Sequence, residues 1–168
     1  FVPFRGDKEA LASVLGLAPD EIDPDLPIVY GSTGIWTLLI PVKRLDSFKK
    51  MRPENASFPK VLTQLTHASI HPFCLETYAS KAQMHGRHFS SPFSSTIEDP
   101  VTGTASGAMG AYYSKYVNGA EPGSVLVEQG QEIGRDGFVG VNVVKSGQRL
   151  EVEIEGKAVF VKLIDIDG

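Results

Sequence analysis

The segment IEDPVTGTASGAMGAYYSKYV, at 97–117, constrains the fold more than any other part of the chain. It places two acids and a proline directly before a run of Gly, Ala, Ser and Thr that carries no charge until Lys115. A helix whose sides are nearly all small or apolar is buried all round. Gly107 and Gly110 each cost such a helix about 1 kcal/mol relative to Ala unless close packing recovers it. We therefore predict a central, buried helix over 102–117, enclosed by strands.

Three further segments carry helical signals. DKEALASVLG spaces its apolar residues along one helix face, with Asp7 placed to cap the first turn and Gly16 placed to end the last. The segments LDSFKKM and ASFPKVLTQL, at 45–51 and 56–65, are typical of short helical turns. The sequence therefore predicts small surface helices in addition to the buried one.

Most of the remaining chain predicts strands. Two β-rich runs flank Gly31–Gly34, and the second ends at Pro41, which favours a hairpin or a bent strand. The segment 69–89 offers a strand, a small polar turn and a second strand. Beyond Val117, glycines and polar pairs separate at least four β runs, several of which alternate apolar and polar residues, as in LEVEIEGKAVFVKL. We expect one globular domain in which a sheet wraps around the buried helix.

Composition excludes several classes of protein. Sixteen Lys and Arg stand against twenty Asp and Glu, which gives a net charge of −4 with no basic run, so a nucleic-acid partner is not expected. The longest apolar run falls far below the ~20 residues of a membrane span, and the opening lacks a signal-peptide pattern. The single cysteine excludes an internal disulfide and fits a reducing compartment. We therefore expect a cytoplasmic protein without a membrane partner.

The histidines do not predict a metal centre. His67 and His71 have the four-residue spacing of ligands on a helix, but Pro72 and the β pattern around it break that geometry. A third ligand is not evident. His85 and His88 bracket a Gly-Arg pair and are interpreted as turn or strand residues rather than catalytic groups.

The start of the buried helix has a chemical property of its own. The first turn of a helix presents N–H groups without internal partners together with a partial positive charge, so the start of this helix could hold an anion such as a carboxylate. Thr102, Thr104 or Asp99 could instead cap the helix. Glu98 and Asp99 are adjacent, so in extended backbone they point to opposite sides, and at most one of them is expected at a common site.

Two stretches of the sequence resemble the second half of the phenazine-biosynthesis PhzF-like family. They are RHFSSPFSSTIEDPVTGTASGAMGAYYSKY and VEQGQEIGRDGFVGVNV, which together match 87–143. That half of the family carries an Arg-x-Phe strand, then Glu-Asp-Pro-x-Thr-Gly-Ser-Ala, and later Gln-Gly and Gly-Arg pairs. The segments GSTGIWTLLIPV and VEIEGKAVFV are also similar to family segments, so the resemblance extends over nearly the whole chain.

The resemblance implies the fold of diaminopimelate epimerase, in which two similar halves each curl a mixed sheet around a central helix and the active site lies between them. For this chain it implies an α+β fold with a mixed, mostly antiparallel sheet, curled into a barrel around a central buried helix. The range 1–168 would then be a single domain, equivalent to the C-terminal half of a two-domain PhzF-like protein. The first residue, Phe1, is not Met, and we expect the chain to be part of something longer.

The resemblance also implies chemistry. Family members shift a proton on a small carboxylic acid without a metal or an organic cofactor. Asp99 matches the family's Asp, which orients the substrate, and Gly103 and Thr104 match the helix-start residues that hold carboxylate or enolate oxygens. Thr104 stands where Ser is more usual, which adds a methyl group. Together with Thr102, Arg87 is a further candidate for substrate binding, although it could equally form a structural ion pair.

The family's general base has no counterpart in this sequence. It is a Glu in a segment of the N-terminal half that ends Cys-Gly-His, and Glu128 and Glu132, which flank Gln129-Gly130, do not match it. Two hypotheses follow. The chain is one half of an isomerase that needs its N-terminal half, as a neighbour in the chain or as a separate partner, or it is a binding module that has lost catalysis. Either form is expected to bind a small carboxylate, and the uncovered cleft face predicts association with the N-terminal half or with a second copy.

Overall fold

The computed structural model describes residues 1–147, 149–161 and 163, and within them the fold is mixed α+β with a strongly curled, half-barrel sheet and few helices. The ten strands are β1 Val2–Pro3, β2 Val29–Ser32, β3 Trp36–Pro41, β4 Ser69–Cys74, β5 Met84–Gly86, β6 His88–Phe89, β7 Glu98–Asp99, β8 Gly123–Gln129, β9 Gly137–Ser146 and β10 Arg149–Glu155. The α-helices are α1 Lys8–Leu15, α2 Phe58–Val61 and α3 Gly103–Tyr112.

The sheet follows the order β1-β2-β3-β4-β5-β8-β9-β10, while β6 pairs with β4 and with β7. The pairs β3–β4 and β5–β8 are parallel, and the others are antiparallel. Helix α3 packs against β2 near one end of this order and against β8, β9 and β10 at the other, so the sheet must curl to reach it from both sides. Among the described residues, β1 and β10 at the two ends of this order do not pair with each other, which makes the sheet a half-barrel rather than a closed one.

Two hydrophobic cores lie on opposite faces of this sheet. Along β2 and β3, Val29 and Leu39 face a core that includes Met109 and Tyr112 of α3. Their alternate neighbours, among them Tyr30, belong to the second core, which contains α1 and α2. Because successive strand residues point to opposite faces, a strand buried on both sides reads as a continuous apolar run, as in WTLLIP.

Helix α1 has the bounds that its end signals predict. The Asp7 carboxylate accepts hydrogen bonds from the backbone N–H groups of Glu9 and Ala10, and Gly16 ends the helix in the left-handed conformation at φ 71°. The short helical turns are also present, as 3₁₀ segments at Leu45–Lys50 and Asn55–Ser57, the latter leading into α2. These local predictions are confirmed because the deciding interactions lie within a few residues of each other.

The prediction of at least four strands beyond Val117 is wrong for the described residues, which contain three. The segment expected to form the fourth, KAVFVKL, has no strand at its described positions. Its side chains Val159, Phe160 and Val161 are 77% to 85% exposed, so no strand or apolar face among the described residues covers them. An apolar, β-branched run does not make a strand by itself, because a strand needs an edge with which to pair.

Helix α3 is the glycine-rich segment. Its residues from Ala105 to Tyr112 are buried, and it continues as a π-helix at Tyr113–Val117. Close packing explains one of its glycines but not the other. A Cβ at Gly110 would collide with Val141 of β9, whereas a Cβ at Gly107 would make ordinary contacts. Among the described residues, no helix is both long and apolar enough to cross a membrane.

Candidate active site

A cleft of about 400 Å³ opens where β7 leads into α3. Its walls include Asp99, Thr102 and Thr104, three of the residues singled out from the sequence, and also His88 of β6. Strands β6 and β7 are antiparallel neighbours, and His88 lies directly opposite Asp99 in their register. A larger depression of about 710 Å³ runs over β8, β9 and β10, but its lining residues include no buried ionisable group.

Asp99 is held in place by two neighbouring side chains. The Thr102 hydroxyl donates a hydrogen bond of 2.7 Å to Oδ2 of Asp99. Gln129 donates from Nε2 to the Asp99 carbonyl at 2.6 Å and to the Thr102 hydroxyl at 3.2 Å. The next residue, Gly130, has φ 94° and lies so close to the turn that its Cβ would come 2.8 Å from the Pro100 carbonyl oxygen. The Gln-Gly pair at the end of β8 therefore holds the backbone of the Glu-Asp-Pro turn and the Thr102 hydroxyl that binds the Asp99 carboxylate.

The first turn of α3 has no side-chain cap. Thr102 occupies the N-cap position, but its hydroxyl donates to Asp99, and its own N–H donates to Oε1 of Gln129 at 3.4 Å. Among the described residues, no side chain caps the N–H groups of the first helical turn, which begins at Gly103. Gly103 is half-buried and Thr104 is exposed, whereas the helix is buried from Ala105 onward. The capping alternative is thus not realised, and Thr102 and Thr104, on either side of Gly103, line the cleft.

Arg87 does not line the cleft. Its Nε and Nη2 atoms donate to the two carboxylate oxygens of Glu98 at 2.8 and 2.7 Å, and its Nη1 donates to the Phe48 carbonyl at 2.8 Å. The side chains of Glu98 and Asp99 thus lie on opposite sides of β7, as extended backbone requires. The structure favours the structural ion pair over substrate binding for Arg87, because the guanidinium is buried and its donors are engaged within the fold.

His88 is the cleft residue that sequence reasoning missed. Its Nδ1 lies 3.1 Å from Nδ1 of His71, which is fully buried on β4. Burial lowers the pKa of His88 to about 4, although the neighbouring Asp99 carboxylate raises it in part. Burial, together with the charges of His88 and His85, lowers the pKa of His71 well below its usual range. Both imidazoles are therefore neutral near pH 7.

A second polar cluster lies away from the cleft. The Glu128 carboxylate accepts from the backbone N–H groups of Tyr78 and Ala79 and lies 3.2 Å from Nδ1 of His85, and all of these groups are partly or fully buried. Burial raises the pKa of the nearby Cys74 thiol to about 12, so this cysteine is not a nucleophile. Within the described ranges, no group of three His, Cys, Asp or Glu side chains could hold a metal ion.

Comparison with known proteins identifies the relatives of this chain. The sequence profile of the family described as "Phenazine biosynthesis-like protein" matches residues 1–163. The uncharacterized isomerase YfhB of Bacillus subtilis is 53% identical over 160 residues, which cover 95% of this chain and 54% of that protein. The uncharacterized isomerase YddE of Escherichia coli K12 is 32% identical over 163 residues, covering 94% and 54% respectively. The chain therefore spans about half the length of the curated relatives it matches.

Solved structures show the same likeness. The crystal structure of a Bacillus anthracis phenazine biosynthesis protein of the PhzF family superposes with a TM-score of 0.93 at 55% identity, over 95% of this chain and 55% of that one. A predicted epimerase from Pseudomonas aeruginosa gives a TM-score of 0.64 at 23% identity, over 90% and 51%, a likeness that concerns the fold alone. The fold is thus of the epimerase-like class. The chain belongs to the phenazine-biosynthesis-like family, PhzF type.

Proposed function

We propose that residues 1–168 form a single domain equivalent to the C-terminal half of a two-domain PhzF-like isomerase, with the curled sheet arranged as a barrel around α3 as its central helix. The active site would lie between this domain and an N-terminal half. Two facts support the proposal: the chain spans about half of its relatives' length, and the general base expected of the family has no counterpart in its sequence. The relatives named isomerases support the reaction class.

The chain contributes the anion-binding part of a cofactor-independent proton shift on a small carboxylic acid. The observation that carries this proposal is the uncapped start of α3, which opens into the same cleft as Asp99. N–H groups of the first turn, at Gly103 and Thr104, bind the carboxylate and stabilise the charge that develops when a neighbouring carbon loses its proton. Such preorganised donors are worth roughly 3 kcal/mol each in the transition state.

Asp99 orients the polar groups of the substrate and assists proton transfer. Thr102 and Gln129 hold it in one conformation, as a positioned acid or base requires. A base that removes the proton must also lie within hydrogen-bond reach of the substrate, and we assign that group to the N-terminal half. The isolated chain therefore binds a small cyclic or unsaturated carboxylate weakly and does not turn it over.

Solvent deuterium exchange into the substrate, followed by NMR, tests this proposal. The chain alone is expected to show no exchange, and supplying a matching N-terminal half is expected to start it. Asp99→Asn should then lower turnover by ~10²-fold or more with an unchanged unfolding midpoint, because it removes a positioned proton-transfer group. Asp20→Asn, which changes an exposed acid in the turn Pro19–Glu21, serves as the control and should leave turnover unchanged.

Three outcomes would contradict parts of the proposal. Exchange catalysed by the chain alone would place the base within this chain. Unchanged turnover in Asp99→Asn would reduce that residue to a structural role at the helix start. Carboxylate binding without exchange, even with the N-terminal half present, would favour the alternative function, a non-catalytic binding module that retains the fold but lacks the base.

A further inference from the structure

Two histidines from different strands meet behind the cleft. Strands β4 and β6 pair at Ile70 and Phe89, and this register brings His71 against His88. His71 fits there because Gly86, on the neighbouring strand β5, has no side chain: a Cβ at Gly86 would lie 2.7 Å from the Nε2 of His71. The imidazole of His71 is closed off from solvent, whereas His88 is half-buried and forms part of the cleft wall.

The contact between the two rings fixes where their protons lie. A neutral imidazole carries one N–H donor and one bare acceptor, so one Nδ1 donates and the other accepts across the 3.1 Å contact. If His88 donated, His71 would carry its own proton at Nε2, which is buried without a hydrogen-bond partner among the described residues. An orphaned buried N–H is rarer and more costly than a bare acceptor. His71 is therefore the donor, and its Nε2 is a bare lone pair.

The tautomer of His71 also determines whether Nε2 of His88 carries a proton. Because His88 accepts at Nδ1, its single proton must be at Nε2. Within the part of the chain that the structure describes, no group forms a hydrogen bond with this Nε2. It is thus a free donor on a residue that stands opposite Asp99 and lines the same cleft as Thr104.

We propose that His88 binds the substrate by donating a hydrogen bond from Nε2–H to a carboxylate or enolate oxygen, and that His71 is a positioning residue which holds His88 in this tautomer. The inference rests on the proposed function of this cleft and deepens it. It adds a neutral side-chain donor to the backbone donors at the start of α3. The substrate oxygens would then be bound by donors of two kinds, with Asp99 left to orient the rest of the molecule.

A neutral donor suits this position better than a charged one. An imidazolium opposite Asp99 would form an ion pair with the carboxylate and withdraw both groups from the substrate. A neutral imidazole N–H still stabilises a developing enolate but leaves the acid free. Burial, which lowers the pKa of His88 to about 4, maintains this state. The titratable groups that face His88 are His71 on β4 and Asp99 on β7, and His67 also lines the cleft.

Long-range ¹H–¹⁵N correlation NMR on the labelled chain measures the tautomers directly. We expect His88 protonated at Nε2 and His71 protonated at Nδ1, with His88 unchanged between about pH 7 and pH 5 because its pKa lies near 4. A proton on Nδ1 of His88 would overturn the proposal without touching the proposed function. Titration of His88 in the range of a free imidazole would do the same.

Adding benzoate, with uncharged benzamide as its control, tests the contact itself. Benzoate should shift the Nε2–H signal of His88 together with the amide signals of Gly103 and Thr104, and benzamide should not. Shifts in the amides without a shift at His88 would overturn the role of His88 alone. No shift at either would overturn the anion-binding site as well, and with it this inference.

Two substitutions separate a donor from a merely structural residue. His88→Leu should weaken benzoate binding about tenfold or more, as expected for the loss of a hydrogen bond to a charged group. His88→Gln carries an amide donor at a similar reach and should restore most of that affinity. In the enzyme supplied with its N-terminal half, the same order should appear in turnover. Equal loss in both variants, with unfolding midpoints unchanged, would contradict the proposal.

Discussion

Arg87 and Glu98 form an ion pair that is nearly removed from solvent, their side chains being 7% and 12% exposed. The pair has bidentate geometry, and Nη1 of the guanidinium also donates to the Phe48 carbonyl. Breaking such a pair on one side leaves an uncompensated buried charge, whereas removing both charges together costs far less. At the residue scale, this pair links the residue between β5 and β6 to β7 and to the 3₁₀ segment Leu45–Lys50, and it does not line the cleft.

Arg87→Met should lower the free energy of unfolding by about 3 kcal/mol, because Glu98 is left charged and buried. The double variant with Glu98→Leu should recover much of that loss. Urea unfolding measures both effects. Benzoate affinity, measured at temperatures where the variants remain folded, should change less than twofold, since the guanidinium does not reach the cleft. A tenfold loss of affinity in Arg87→Met would show instead that Arg87 contacts the substrate.

At the element scale, α3 contains two glycines, Gly107 and Gly110, that look equivalent in the sequence but have different packing environments. A Cβ at Gly107 would lie 3.4 Å from Cγ2 of Thr33 and from Cγ1 of Val152, which is ordinary contact. A Cβ at Gly110 would overlap Cγ1 of Val141 and lie 2.9 Å from its Cβ, and Val141 is fully enclosed in β9. The same substitution therefore has opposite consequences three residues apart on one helix.

Gly107→Ala should raise the free energy of unfolding by up to ~1 kcal/mol, the gain in helix propensity. Gly110→Ala should lower it by ~1–3 kcal/mol, because the clash with Val141 exceeds that gain. Urea midpoints of the two variants measure the difference under one set of conditions. Val141→Ala in combination with Gly110→Ala is the control and should recover part of the loss. Equal shifts for the two single variants would mean that α3 does not approach β9 as closely as the structure has it.

Sequence reasoning succeeded where the deciding contacts are local. Asp7 and Gly16 end α1 by bonds within a few residues, and the helix predicted over 102–117 is present as α3 followed by the π-helix Tyr113–Val117. Sequence reasoning did not predict the side-chain contacts that depend on how two strands pair. His71 and His88 lie on strands whose pairing depends on β4 and β6, and no local pattern indicates which residues of two strands will face each other. The support that Gln129 gives to Asp99 depends in the same way on contact across 30 residues.

At the scale of the whole molecule, apolar surface remains uncovered near the end of the described chain. Val159, Phe160, Val161 and Leu163 are between 77% and 86% exposed. The side of α3 between β2 and β10 is also open, as a cleft of about 460 Å³ bounded by Phe1, Lys115 and Val152 among others. Large exposed apolar patches usually mark protein interfaces, because water solvates them poorly. This fits the proposed two-domain protein, in which another half covers what this chain exposes.

Sedimentation velocity of the chain over a range of concentrations should therefore show self-association, and an added N-terminal half should replace it with a one-to-one complex. The paired substitution Phe160→Ser and Val161→Ser should weaken both forms of association, because it removes two large apolar side chains from the exposed run. Leu75→Ser, which changes an apolar residue 44% exposed elsewhere on the surface, is the matched control and should leave both unchanged. A single monomeric species at high concentration that also does not bind the N-terminal half would contradict the assignment of this surface as an interface. Equal weakening by the paired substitution and by the control would show that general surface hydrophobicity, and not this segment, drives association.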